Sequence, residues 1–117
     1  MKGFIKTDLN ELKISPFDSI GNGWMLIGAS DGERANAMTA SWGAMGVLWN
    51  KPVCIGYIRP TRYTFLFAEK ADVMTFCFFD EEMRPALKFC GSHSGKDVDK
   101  IKETKLTPIP VMDGKGV

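Results

Sequence analysis

Apolar residues gather along the chain in short runs, divided by glycines, prolines and charged clusters. Residues 24–28 form the first run, directly after the turn-forming Gly21-Asn-Gly23, and are expected to make a strand. Residues 30–34 are polar and read as the tip of a hairpin. Residues 37–42 are expected to form a second strand. It should run into an irregular loop containing Gly43 and Gly46, because each glycine would cost a helix about 1 kcal/mol relative to alanine. Pro52 restarts the chain, and the apolar run 53–59 predicts a buried strand that Arg59-Pro60 ends.

Helical and extended patterns alternate after that point. Residues 61–70 are expected to be helical, with Thr61 as cap and Phe65, Leu66 and Ala68 as the apolar face. Residues 72–79 predict a strand by their β-branched and aromatic content. Residues 80–89 predict a helix, capped by Asp80, with Glu81 and Glu82 at its positive end and Gly91 as its stop. Residues 94–103 predict another helix, opened by Ser94-Gly-Lys-Asp97, a capping-box variant. Residues 106–111 are extended, and 112–116 carry a turn signal. A hairpin turn normally has a second strand to hold, so an end at Val117 leads us to expect that C-terminal strands are missing. Strands mixed with short helices, with no regular βαβ alternation, predict a mainly β (α+β) domain, most simply an antiparallel barrel.

Composition narrows the class. A chain of 117 residues with 44% apolar and 25% charged residues suits a single globular domain spanning 1–117. Fifteen basic residues oppose fourteen acidic ones, a net charge of +1 that argues against a nucleic-acid partner. The crowding of Lys96, Lys100, Lys102 and Lys105 is interleaved with Asp97, Asp99 and Glu103 and reads mostly as a solvated helix face. Three cysteines outside any CxxC pair indicate a reducing compartment, and with one histidine they make a metal site unexpected. The N-terminus lacks a signal-peptide pattern and the apolar runs are too short to span a bilayer, so we expect a cytoplasmic protein with no membrane partner.

Three segments carry polar groups beside apolar runs. In Asn36-Ala-Met-Thr-Ala-Ser-Trp42, small and hydroxyl residues alternate. Such a strand could present backbone groups and hydroxyls to a planar heteroaromatic ring, or its Thr and Ser could simply satisfy neighbouring backbone. In Arg59-Pro-Thr-Arg-Tyr-Thr64, a guanidinium and hydroxyls meet a predicted helix start, which suits a phosphate. The alternative is an ordinary Thr-capped helix with a surface arginine. Gly91-Ser-His-Ser-Gly-Lys-Asp97 is a second small-residue turn that could hold an anion. His93, the sole histidine, reads more readily as a surface or capping residue than as an acid or ligand. No GxSxG elbow, GxGxxG fingerprint or Walker A spacing is present, so no catalytic side chain stands out. A cofactor would have to supply any chemistry.

In this order and spacing, these segments resemble the flavin reductase-like family of FMN-binding split barrels, flavoredoxin-type members included. The residues that carry the resemblance are 36–42, Trp49-Asn-Lys-Pro52, 58–64, Phe78-Phe-Asp-Glu-Glu82 and residues 90–100. The resemblance implies a Greek-key split β-barrel with short flanking helices, working as a homodimer around FMN. It implies that Met38, Thr39, Ala40, Ser41 and Trp42 lie along the isoalloxazine ring, with Asn36 also among the cofactor-binding residues. Thr61, Arg62, Tyr63 and Thr64 would take the phosphate and ribityl chain, and Ser92, His93, Ser94 and Lys100 would close the site. The implied activity is electron transfer from NAD(P)H through the flavin to an acceptor. The alternative is a non-catalytic carrier that takes electrons from a redox protein partner. Lys96 stands where the family commonly has arginine, which would replace a forked contact with a point charge.

Overall fold

The computed structural model describes residues 3–117. Helix α1 (Pro16–Gly21) is followed by strands β1 (Met25–Ser30), β2 (Ala35–Ala40), β3 (Gly43–Leu48) and β4 (Lys51–Gly56), then by helix α2 (Thr64–Lys70), strand β5 (Met74–Cys77) and helices α3 (Arg84–Ser92) and α4 (Lys100–Thr104). All the strand pairings are antiparallel: one sheet has the order β2-β1-β5, and β3 and β4 form a separate two-stranded ribbon. Among the described residues no helix is long and apolar enough to cross a membrane.

The β1–β2 hairpin explains most of the core. Its register runs from Met25↔Ala40 to Ser30↔Ala35, and paired residues share a face. One face therefore carries Met25, Ile27, Met38 and Ala40, which pack with Ile20 of α1 and, at the margin, Met45, Ile58 and Phe76. The other carries Leu26 and Ala37, which pack against Leu87 and Cys90 of α3. Both faces of β1 are covered, so it reads as a continuous apolar run with no alternation. Each fully buried Leu, Ile or Met in these clusters contributes roughly 1.5–3 kcal/mol. The tip is fixed by Asp31, whose carboxylate accepts the backbone N–H groups of Arg34 and Glu33 at 2.8 and 2.9 Å. Those two bonds hold its carboxyl below the usual range.

α3 is locked to the chain before β1 by one arginine. The Arg84 guanidinium lies 3.4 Å from the centroid of the Trp24 ring. It also donates to the carbonyl of Asn22 and, at 3.4 Å, to that of Gly23. Gly23 cannot be larger, because a Cβ there would sit 2.8 Å from the Ser19 carbonyl oxygen.

Several elements depart from the sequence expectations. Residues 43–48, expected as an irregular loop, form β3. The two glycines serve a strand here: a Cβ on Gly43 would lie 2.6 Å from the Ile55 carbonyl oxygen across the ribbon. The strand expected over 53–59 is β4, two residues earlier and half-exposed, because the ribbon has only one covered side. α2 begins at Thr64 with Tyr63 as its cap, so Thr61 lies in the turn ahead of it. Asp80 precedes a single 3-10 turn (Glu81–Met83), and the helix proper starts at Arg84 and runs past Gly91 to Ser92. The last helix starts at Lys100 and is capped by the Asp99 carboxylate, which accepts the Lys102 N–H at 3.1 Å. The predicted capping residue Ser94 instead holds a tight turn, its carbonyl accepting from Asp97 and Val98. α1 was not expected from the pattern.

Residues 106–117 fold back along the sheet. Val111 and Gly116 bridge, and the Thr75 hydroxyl of β5 donates to the Val117 carbonyl. Beside them lies an apolar groove of about 540 Å³, lined in part by Leu26, Phe76, Phe78, Ile101, Leu106 and Val111.

Candidate functional site

The three polar segments singled out in the sequence meet at the free edge of β2. Strand geometry aims Asn36 at α2, and its side-chain amide donates to the Thr64 hydroxyl at 2.8 Å in a buried pair. Thr39, further along β2, donates to the Leu87 carbonyl of α3. The turn after α3 comes against the same edge. Gly95 packs on the Asn36 amide so closely that any Cβ would collide with it, and a Cβ on Gly91 would lie 3.3 Å from Thr39 Cβ. Small residues in 91–95 thus permit close approach of backbone, a packing role the sequence suggested only as a turn.

Lys100 closes this arrangement. It is 3% exposed, and its ammonium donates to the carbonyls of Ala37 and Cys90, each at 3.0 Å. Because β2 is an edge strand, the contact to Ala37 satisfies a carbonyl that has no neighbouring strand. Burial, and then the positive charge of Arg62, lower the Lys100 pKa from 10.5 to about 8, with the Cys90 thiol opposing weakly. Burial likewise lowers the Arg62 pKa, with Arg59 adding to the effect, and burial raises that of Cys90. Arg62 is thus near enough to Lys100 to disfavour its charge. Next to Lys100 lies a cavity of about 600 Å³, lined among others by Arg34, Asn36, Lys96, Asp97 and Asp99. The Asp99 carboxylate is engaged in capping α4. A buried lysine with a second cation near it is an electrostatic arrangement that can favour an anion.

The remaining predicted positions separate into three groups. The side chains of Met38 and Ala40 are buried in the core, so a ring could meet only their backbone. Ser41 and Trp42 lie exposed beyond the end of β2, and Arg59 stands 5.9 Å from the Trp42 ring centroid. Thr61 is exposed, while Arg62 is half-buried and its backbone N–H donates to the Arg59 carbonyl at 3.0 Å. The Ser92 hydroxyl turns back to the Lys88 carbonyl at 2.9 Å, and His93 stacks on Phe89 at 4.0 Å. Those two residues thus finish α3. Ser94 accepts the Lys96 N–H at 3.2 Å.

The start of α2 also differs from the expected helix start. Thr61, Arg62 and Tyr63 lie in the turn before α2, which is only seven residues long. An anion here would therefore be met by side-chain cations and not by a helix dipole. Sequence reasoning also passed over Arg34, which it left in the hairpin turn. Its guanidinium donates to the Tyr63 hydroxyl at 2.9 Å and lies 5.8 Å from the Phe67 ring centroid.

No protein-family model matches the chain, and no curated protein does. Among solved structures the fold is similar to that of flavoredoxin of Desulfovibrio vulgaris (Miyazaki F), with a TM-score of 0.73 at 21% identity. The match covers 96% of this chain and 59% of that one, so the chain spans about three-fifths of the length of that flavoredoxin. The likeness places the chain in a flavoredoxin-like fold.

Proposed function

We propose that this chain binds FMN and serves as a flavin redox protein of the FMN-binding split-barrel class. The observation that carries the reading is the buried Lys100 ammonium, with the Arg62 guanidinium near enough to disfavour its charge. A phosphate monoester is the natural counter-ion for such a pair. The flavoredoxin-like fold adds support, since that neighbour's name joins a flavin to redox work.

The residues fit the phosphate end of such a cofactor. Arg62 brings a forked donor set and Lys100 a buried point charge, held by two backbone carbonyls so that it does not wander. Thr61, exposed in the turn before α2, offers a free hydroxyl to the same end. Thr64, pinned to Asn36, fixes the turn from inside the fold. Ser41 and Trp42, exposed past the end of β2, are the side chains left to face the ring. FMN itself supplies the redox chemistry, accepting a hydride or two electrons and passing them on, so the chain need provide no acid or base. NAD(P)H is the donor we propose, and a second copy of the chain completes the site, as the resemblance to the family implies.

An FMN titration followed by flavin fluorescence tests the reading. The expected result is saturable quenching by the native chain and a roughly 10- to 100-fold weaker affinity in Arg62→Ala, the scale of a lost charge-assisted hydrogen bond. No quenching at micromolar protein would overturn it. Mixing the loaded protein with NADH or NADPH then tests the donor: bleaching of the flavin with either supports a reductase, and none with both leaves a carrier reduced by another protein.

A further inference from the structure

We propose that Arg34 is a positioning residue for the phosphate-binding turn 61–64, acting through the hydroxyl of Tyr63. The inference rests on the FMN reading above and deepens it. Two hydrogen bonds tie the start of α2 to the β1–β2 hairpin, and they come from residues two apart. The Asn36 amide reaches the Thr64 hydroxyl at 2.8 Å, and the Arg34 guanidinium reaches the Tyr63 hydroxyl at 2.9 Å. A spacing of two on an extended chain puts both donors on one side of the hairpin. They grip consecutive residues, and Arg62 immediately precedes them.

The Arg34 side of this grip is built from both ends. Its backbone is fixed by the Asp31 turn: the Arg34 N–H donates to the Asp31 carboxylate at 2.8 Å, and its carbonyl accepts from the Asp31 N–H at 3.1 Å. Its guanidinium lies near the Phe67 ring, and Tyr63 meets the same ring edge-on with centroids 5.2 Å apart. Arg34, Tyr63 and Phe67 thus form one packed group across the hairpin and α2. Asn36 alone would hold Thr64 at a point, whereas two pins hold the turn in direction. Arg62, immediately before them, is held by the same grip, and the proposed phosphate would lie near it. Arg34 also lines the adjoining cavity.

The test compares FMN with riboflavin, which lacks the phosphate. Arg34→Gln, Tyr63→Phe and the double variant are titrated with both flavins beside the native chain. Arg34→Gln should lose about three- to tenfold in FMN affinity, the scale of one hydrogen bond to a charged group at the surface, with riboflavin affinity unchanged. The double variant should lose no more than either single one, because both remove the same contact. Equal losses for the two flavins, additive losses, or no loss at all would overturn the positioning role while leaving FMN binding intact. A native chain that binds neither flavin would overturn the FMN reading itself, and this inference with it.

Discussion

Lys100 shows how far one side chain can sit from the character of its neighbours. It belongs to a run of alternating lysines and acids that reads as a solvated face, yet it is buried. The cause is local: Asp99 caps α4, so Lys100 takes the first helical position and turns inward to the β2 edge, while Lys102 stays exposed. A charge run gives an average, and the burial of one member depends on where the helix starts. The consequence can be measured. The folded chain releases the Lys100 proton near pH 8 and the unfolded chain near 10.5. Between those values the unfolded state binds more protons, so stability should rise with pH there, and the full burial cost is present below pH 8. FMN affinity should move the opposite way, because a bound phosphate favours the ammonium form. We expect a constant dissociation constant from about pH 6.5 to 7.5, weakening several-fold by about pH 9.5. In Lys100→Met that loss should vanish; the same slope in both proteins would exclude Lys100 as the titrating group.

At the scale of elements, long apolar runs were legible and starts were not. β1, β5 and the hairpin tip at 31–34 follow directly from runs and turn residues. Thr61 and Ser94 misled because capping residues are also common in free-standing turns: Thr61 lies in the turn before α2, and Ser94 holds one of its own. The ribbon was hidden by its glycines, of which Gly43 makes room for the partner strand. Its two-residue loop, Trp49-Asn50, has φ of 51° and 60°, the left-handed pair of a type I′ turn, with no glycine in it. A bulky aromatic at such a position costs about 1 kcal/mol or more. Replacing the pair with Asn-Gly (Trp49→Asn with Asn50→Gly) should therefore raise stability by about 1 kcal/mol in urea unfolding. An unchanged midpoint would mean that the tip is not strained.

For the molecule as a whole, the sheet is covered on both faces, but the ribbon is not. Val47 and Trp49 are 75% and 85% exposed, and Leu48, Ile55 and Tyr57 are also open to solvent. By register Leu48 and Ile55 share one face of the ribbon, and exposed apolar surface there is in keeping with the homodimer we propose. Sedimentation at tens of micromolar should give a dimer, and Leu48→Glu should shift it towards monomer. A native chain that stays monomeric at such concentrations counts against the assignment. The overall class, antiparallel strands with short helices, could be read from the absence of βαβ alternation. The meeting of three distant segments at one edge could not, since it is made by close approaches at Gly91 and Gly95 that leave no periodic trace.

The three tryptophans give this molecule a set of separate optical reporters. Trp24 lies half-buried beneath the Arg84 guanidinium, so its emission follows the docking of α3. Trp42, 63% exposed and next to Arg59, looks out from the end of β2 where a ligand ring would stand. Trp49 rides the ribbon tip, the first place a second subunit would shade. Unfolding, occupancy and assembly can thus be followed in one chain by its own colours, with single Trp→Phe changes to tell them apart.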